Sequence, residues 1–458
     1  MPSAPTISET AAVYFSRLTY GEIPPAAIAK IKLLFLDTLG RAIAGSQTGW
    51  GRSAIALAAG IGGDGAATVL GSATRTNAVA AALANGCLAH ALDFDDTYFA
   101  AIVHPSCCVV PATLAVAEAR NCSGKDAILG AFVGYELLLR VARGGRNCFF
   151  TRNYHTTGLL GALGASMASA RILGLGAEAS ADALGIAAGL GSGILQPMRE
   201  GQHVKALQAG YAAHGGVMAS MLAAAGTQGP RQAFEGELGL YRTYLEEGSF
   251  DPALILDRLG QDCYTPDIAI KMYPGAHRHH FFVESVLHVV QRHGLVPEEI
   301  SDICCVSAPN DVYYNFTPAG RRPPNAHLAR FSVPFLIACA LAKGRVTLAS
   351  FSDAAIGDEA LLLIAAKVSH VTREGAESPE NRGHVIVTLQ DGRSFENVQR
   401  SIRGLPDTPA TEQDIRRKFE DNAAPVIGAS QAAALAEAIV ALEQQEAMCD
   451  LLSGVRWP

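Results

Sequence analysis

The sequence predicts a mainly α protein, with a large all-helical domain into which a smaller α+β domain is inserted. Three observations carry this reading. From about residue 7 to residue 245 the patterning is almost wholly helical. After about residue 265 short β-branched runs enter, and helical pattern returns from about residue 411. The expected division is a helical domain over residues 1–265, an α+β domain over 266–400 and a helical return over 401–458. Two domains are also the default for 458 residues, a length at which one simple core stops growing.

Taken in order, the helical stretches are Pro25–Ala44, Asn77–His90, Cys107–Glu118, Lys125–Arg143, Gly158–Leu173 and Ser180–Gly189. Each has apolar residues three and four apart and ends near Gly or Asn, the residues that close helices in the left-handed conformation. They are rich in Ala and Gly, and small side chains let helix axes approach closely, so a compact bundle is expected. In the insertion, Ile300–Ser307 (ISDICCVS) and Val385–Leu389 (VIVTL) read as strands, the second running into the hairpin signal Asp391–Gly392. Helical stretches at His280–Gln291 and Arg330–Ala342 accompany them. Thr411–Asn422 and Ser430–Met448 then lead the C-terminus back onto the first bundle.

Composition removes several function classes. Hydrophobic residues make up 49% and charged residues 17%, a well-buried globular balance. The 36 basic and 43 acidic residues give a formal charge of −7 with no long run of either sign. Nucleic acid is therefore not expected as a partner, since tracking phosphates needs concentrated Lys and Arg. The N-terminal MPSAPTISETAAVYFSRL lacks the basic and apolar regions of a secretory signal. The most apolar stretches, Gly158–Gly174 and Ala212–Gly226, are interrupted by Ser, His or Arg, so a membrane is not expected as a partner either. Ten scattered cysteines with no CxxC read as reduced thiols of a cytoplasmic protein.

No GxxxxGK[ST], no GxGxxG after a strand and no HExxH occurs, so neither a phosphate loop nor a zinc site is indicated. His277, His279 and His280 cluster in GAHRHHFF, but with no carboxylate before Glu284 and no Cys beside them no metal is expected. Four segments could carry chemistry. In His90–Ser106, HALDFDDTYFAAIVHPS, Asp93 and Thr97 would share a face if the segment is helical, either as ligand contacts or as caps for orphan amides. His104, before a proline, is either a base or a hydrogen-bonded loop residue. His155 opens an Ala/Gly-rich helix, where amide donors and the positive dipole end suit an anion. Lys205 begins another small-residue helix, where a lysine is either a surface charge or an anion anchor. The fourth segment is Lys271–Glu284, KMYPGAHRHHFFVE, in which a Pro-Gly turn leads His280 into a helix.

These segments occur in an order that resembles the MmgE/PrpD family, nearly end to end. The likeness runs through Leu36–Ser46 (LDTLGRAIAGS), Ala84–Thr97 (ANGCLAHALDFDDT), His104–Ser106 (HPS) and Gly134–Ala142 (GYELLLRVA). It continues through His155–Ala165, Lys205–Ala213, the KMYP segment with a His six residues past its proline, and Arg417–Ala423 (RKFEDNA). The resemblance implies a helical domain built from both chain ends with an inserted α+β lid. It also implies a homodimer, no cofactor, and a small polycarboxylate substrate held in the cleft between domains. It puts acid–base and carboxylate-binding roles on Asp93, His104, His155, Lys205 and His280, with Thr97 and Tyr314, chosen over Tyr313, as substrate contacts. The family's chemistries move a proton at a carbon next to a carboxylate, as dehydratase, decarboxylase or epimerase. The six residues between Thr97 and His104 make a loop longer than the decarboxylase branch has. The chain looks closest to the shorter bacterial members, so epimerisation of iminodisuccinate is the expected reaction and lyase chemistry, or an inactive ligand-binding homologue, the alternative.

Overall fold

In the computed structural model the described residues are 4–200, 202–308, 316, 318–376, 378 and 380–458. They form two compact units, residues 1–270 with 411–458 and residues 271–410. The junctions thus lie at 270 and 410, where the sequence pattern suggests 265 and 400.

In the first unit the longer helices are α1 (Ile7–Arg17), α2 (Pro25–Gly45), α3 (Gly49–Gly62), α4 (Ala78–His90) and α5 (Ser106–Arg120). They continue with α6 (Gly124–Gly144), α7 (Thr156–Ile172), α8 (Ala177–Ala188) and α9 (Val204–Ala224). A two-residue antiparallel ribbon, β1 (Ala67–Thr68) with β2 (Arg75–Thr76), departs from the all-helical expectation. Helices start where capping is available: Thr6, Thr48, Asn77 and Ser123 each accept an amide hydrogen from the first turn that follows. Successive residues 80–90 of α4, 106–118 of α5 and 156–170 of α7 are all buried, which makes these three the interior of the unit.

Small residues make that interior possible. A Cβ on Gly86 of α4 would lie 2.7 Å from Gly210 Cα of α9, and one on Gly210 would lie 2.4 Å from Leu83 O. Likewise a Cβ on Gly134 of α6 would meet Gly164 O of α7 at 2.6 Å. Real carbon and oxygen atoms do not approach so closely, so glycine is required at these crossings. The Gly86–Gly210 crossing sits within two turns of His90 and Lys205, and so fixes where those helix ends lie.

The second unit holds α10 (His280–His293), α11 (Val333–Lys343), α12 (Glu359–Ala366) and a four-stranded sheet. Its strands are β3 (Ile300–Ser307), β4 (Val368–Thr372), β5 (His384–Leu389) and β6 (Ser394–Val398), in the order β4-β3-β5-β6. β3 runs parallel to β4 and antiparallel to β5, with Ile303 opposite Val387 and Cys305 opposite Val385. The parallel pair needs a long crossover, supplied by residues that include α11 and α12. The β5–β6 hairpin turns at Asp391–Gly392, where Gly392 takes φ 88°. Val283, Val286 and Val289 of α10 and Phe335 and Leu336 of α11 share a core with Ile303 and Val387 of the sheet.

The chain then returns to the first unit as α13 (Glu412–Ile427) and α14 (Ala429–Val440). Phe419 of α13 seats on Gly40 of α2, where a Cβ would be 2.8 Å from its ring. No helix of the described residues is long and apolar enough to cross a membrane.

Candidate active site

The segment between α4 and α5 carries most of the chemistry, and it is not helical. α4 stops at His90, and Asp93 takes φ 49°, a left-handed backbone that breaks any continuation. Thr97 instead pairs with Ala269 in an isolated antiparallel bridge. The shared helical face expected for Asp93 and Thr97 therefore does not exist. Ile102 also takes φ 50°, which a β-branched residue adopts only under constraint.

Buried charges from distant parts of the chain tie down the segment on either side of Asp93. Arg41 of α2 donates to Asp37 at 3.0 Å, to Thr38 at 3.0 Å, to Asp96 at 3.4 Å and to the Ala89 carbonyl. Lys418 of α13 pairs with Asp37, donates to the Phe94 carbonyl at 3.0 Å and lies 3.7 Å from the centre of the Phe94 ring. Asp96 Oδ2 accepts from the Ser106 amide at 3.1 Å and hydroxyl at 2.8 Å, so this one carboxylate does serve the start of a helix. Burial pushes the Asp96 carboxyl up to about 6; Arg41 opposes the rise, and Asp95 and Asp37 add to it.

Around this scaffold the first unit gathers Asp93, Thr97, His104, His155 and Lys205. Lys205 Nζ is 3.5 Å from Asp93 Oδ2, and each side chain is only 9% exposed. The surface-charge reading of Lys205 is thereby excluded. His104 Nδ1 lies 2.7 Å from the Asp96 carbonyl and 3.3 Å from Thr97 Oγ1. A carbonyl only accepts, so Nδ1 carries the hydrogen in the neutral ring and a further proton would be taken up at Nε2. The His104 amide donates to Thr157 Oγ1 at 3.0 Å, tying this loop to the first turn of α7. His155 is the N-cap of α7 and is buried, not solvent-exposed. Its pKa is held well below the usual imidazole range by burial first, then by repulsion from His90, Lys205 and His104.

Sequence reasoning missed two members of this group. His90 Nδ1 donates to Asp95 Oδ2, and the His90 ring lies 5.3 Å from both the His104 and the His155 rings, centre to centre. The available signal was position: the last residue of a buried helix, five places before the carboxylate pair Asp95–Asp96. Residues at the starts of α5, α7 and α9 thus meet His90 or the loop that follows it: Ser106 bonds Asp96, His155 stacks on His90 and Lys205 pairs with Asp93.

Among the described residues, one set of three could gather ligand atoms about an ion: His90, Asp95 and Cys107, within 4.8 Å of one another. Its chemistry does not suit a metal. His90 Nδ1 and Asp95 already bond each other, and burial pushes the Cys107 thiol well up while it donates to the His104 carbonyl at 3.1 Å.

His280 belongs to the second unit, as the first residue of α10. It is buried, stacked on Tyr273 at 3.8 Å between ring centres, and 5.0 Å from the His277 ring. The Tyr273 hydroxyl donates to the His280 carbonyl at 3.0 Å. Tyr313 and Tyr314 lie outside the described residues.

The family model described as the MmgE/PrpD N-terminal domain matches residues 9–253, and that of the MmgE/PrpD C-terminal domain matches residues 273–444. The chain is similar to cis-aconitate decarboxylase of Homo sapiens, 27% identical over 475 residues that cover 99% of this chain and 95% of the relative. It is 26% identical over 465 residues to a cis-aconitate decarboxylase-like protein of Aspergillus oryzae, covering 96% and 95%. It is 25% identical over 468 residues to cis-aconitate decarboxylase of Aspergillus terreus, covering 97% and 94%.

Proposed function

The chain belongs to the MmgE/PrpD family, and on that basis we propose that it is a lyase that decarboxylates a small unsaturated tricarboxylate of the cis-aconitate class. The observation that carries the proposal is the buried Lys205–Asp93 pair beside three imidazoles in the first unit. The relatives named above are decarboxylases by name, and none is an epimerase, so the lean towards iminodisuccinate epimerisation gives way to its alternative.

The reaction breaks one carbon–carboxylate bond. Carbon dioxide leaves, the bonding pair moves into the π system next to a remaining carboxylate, and a proton must reach carbon. Lys205 suits the first demand, because a fixed ammonium opposes the negative charge that builds on the conjugated carboxylate. His104 suits the second. Its side chain is 12% exposed, so the imidazole can pass a proton from solvent to the reacting carbon. His155, kept neutral by burial, can orient a carboxylate through an N–H without adding charge. Asp93 holds Lys205 in place, and Thr97 supports the His104 ring. His280 and Tyr314 enter the proposal on family resemblance alone, as do the homodimer and the absence of a cofactor.

Separate incubations with cis-aconitate, iminodisuccinate and 2-methylcitrate in D2O, followed by proton NMR, test the proposal. It expects consumption of cis-aconitate with one deuterium incorporated into an unsaturated dicarboxylate. Deuterium exchange into iminodisuccinate without net loss, and no reaction with cis-aconitate, would replace the lyase with the epimerase.

A further inference from the structure

We infer that His90, held by Asp95, is a positioning residue that shares one proton with His155, so that the charge state of one imidazole fixes that of the other. The inference deepens the reading of this site as a proton-transfer site and rests on it. His90 and His155 are 3% and 4% exposed, and their rings stack with planes 18° apart and centres 5.3 Å apart. His90 Nδ1 is committed to Asp95, while among the described residues His90 Nε2 and both nitrogens of His155 have no partner in good hydrogen-bonding geometry, Gln208 being the nearest influence on His155. Two positive imidazoles so placed repel each other strongly. At an effective dielectric constant of about 20, charges roughly 5 Å apart separate their ionisations by roughly two pH units. The pair therefore takes up protons in two well-separated steps, each belonging to both rings.

The surrounding groups decide which ring is charged first. Burial, the largest influence, disfavours a proton on His90 and lowers its pKa; against it, from the loop after α4, Asp95 and Asp93 favour one, and Asp96 stands behind them, neutralised in part by Arg41 of α2. From α9, Lys205 disfavours a proton on either ring, and Gln208 favours one on His155. His104 opposes charge on His155, and Cys107 of α5 stays a neutral thiol. His90 faces a carboxylate and His155 does not, so the first proton goes to His90. His155 is then held neutral until His90 gives that proton up.

The test uses the full chain with nitrogen-15-labelled histidine, its ring resonances followed from about pH 4 to 9. Both rings should show the same two inflections. In His90→Asn, whose amide can still donate to Asp95, His155 should titrate as a single site, higher by roughly one to two pH units. Independent single-site curves in the unmodified protein would overturn the inference, as would rings that stay neutral throughout. So would a His155 inflection that His90→Asn leaves in place, even if that variant melts earlier, because a merely structural His90 predicts that result. No substrate enters these titrations. Coupled rings in a protein that leaves cis-aconitate untouched would uphold the inference while the lyase reading fails, and turnover with uncoupled rings would do the reverse.

Discussion

At Lys205 the chain spends a long flexible cation inside a helix made of small residues, 3.5 Å from Asp93 and almost out of water. A buried ion pair is rarely a source of net stability, because desolvation offsets the attraction. On the lyase reading proposed above, its value lies in a cation fixed before substrate arrives. Lys205→Ala should lower kcat/KM on the accepted tricarboxylate by at least about a hundredfold, or about 3 kcal/mol, the usual cost of removing one charge-stabilising donor. Lys205→Arg should recover only part of this, since a planar guanidinium fits a different geometry. Steady-state kinetics decide, with circular dichroism to show that the variants fold; near-full activity in Lys205→Ala would remove the anion anchor. Residue types alone left Lys205, His104 and Asp93 undecided between catalysis and bland roles, and only their order along the chain singled them out. His90 was invisible even so. A histidine that ends a buried helix looks the same in sequence whether it fills space or holds a proton.

At the scale of elements, several of the motifs that carry the family likeness hold the site together without acting in it. Asp37 and Arg41 lie in LDTLGRAIAGS, Lys418 lies in RKFEDNA, and together they anchor the turn at Phe94 and Asp96. Glu136, in GYELLLRVA, accepts from the Tyr264 and Thr265 amides at 2.9 and 2.8 Å and so fastens the end of the first unit's main segment. Helices were readable because their apolar spacing and caps are local. α2, α4, α6 and α10 begin or end within a few residues of the expected places. The stretch after His90 was not, because Asp93 and Thr97 keep helical spacing while the chain takes a left-handed turn at Asp93, in a segment tied down by Arg41 and Lys418 from far away in sequence. Strands β4 and β6 escaped too, since VSHVT and SFENV alternate weakly and gain their register only from β3 and β5. The glycine crossings make a direct test. Gly210→Ala would place a Cβ 2.4 Å from Leu83 O and from Cys87 Sγ. Helices α4 and α9 must then part, at a cost of about 1–3 kcal/mol in urea unfolding. Activity should fall further than stability, because the displaced helix ends carry His90 and Lys205. Unchanged unfolding would show that the crossing can yield.

For the molecule as a whole, buried carboxylates are held in more than one way. In the first unit, carboxylates meet cations: Asp37 and Asp96 meet Arg41, and Asp93 meets Lys205. In the second, Glu284 on α10 is largely buried, and desolvation lifts its pKa from 4.5 to about 7, with Arg403 only partly opposing this. A carboxyl whose pKa is higher in the folded state binds its proton more tightly there. The stabilisation is complete below pH 4.5 and is lost as pH rises through about 7. At about 1.4 kcal/mol per pH unit, this difference is worth up to about 3 kcal/mol, felt by the second unit alone. Hydrogen exchange of the β3–β5 amides should therefore show the second unit loosening between pH 5 and pH 8, beyond the ordinary rise of exchange with pH. Glu284→Gln, uncharged throughout, should remove most of that loosening and leave the first unit's helices exchanging as before. A pH response identical in Glu284→Gln and the unmodified chain would mean that Glu284 ionises in the folded unit as easily as in water. Arg403, and not burial, would then govern this carboxyl.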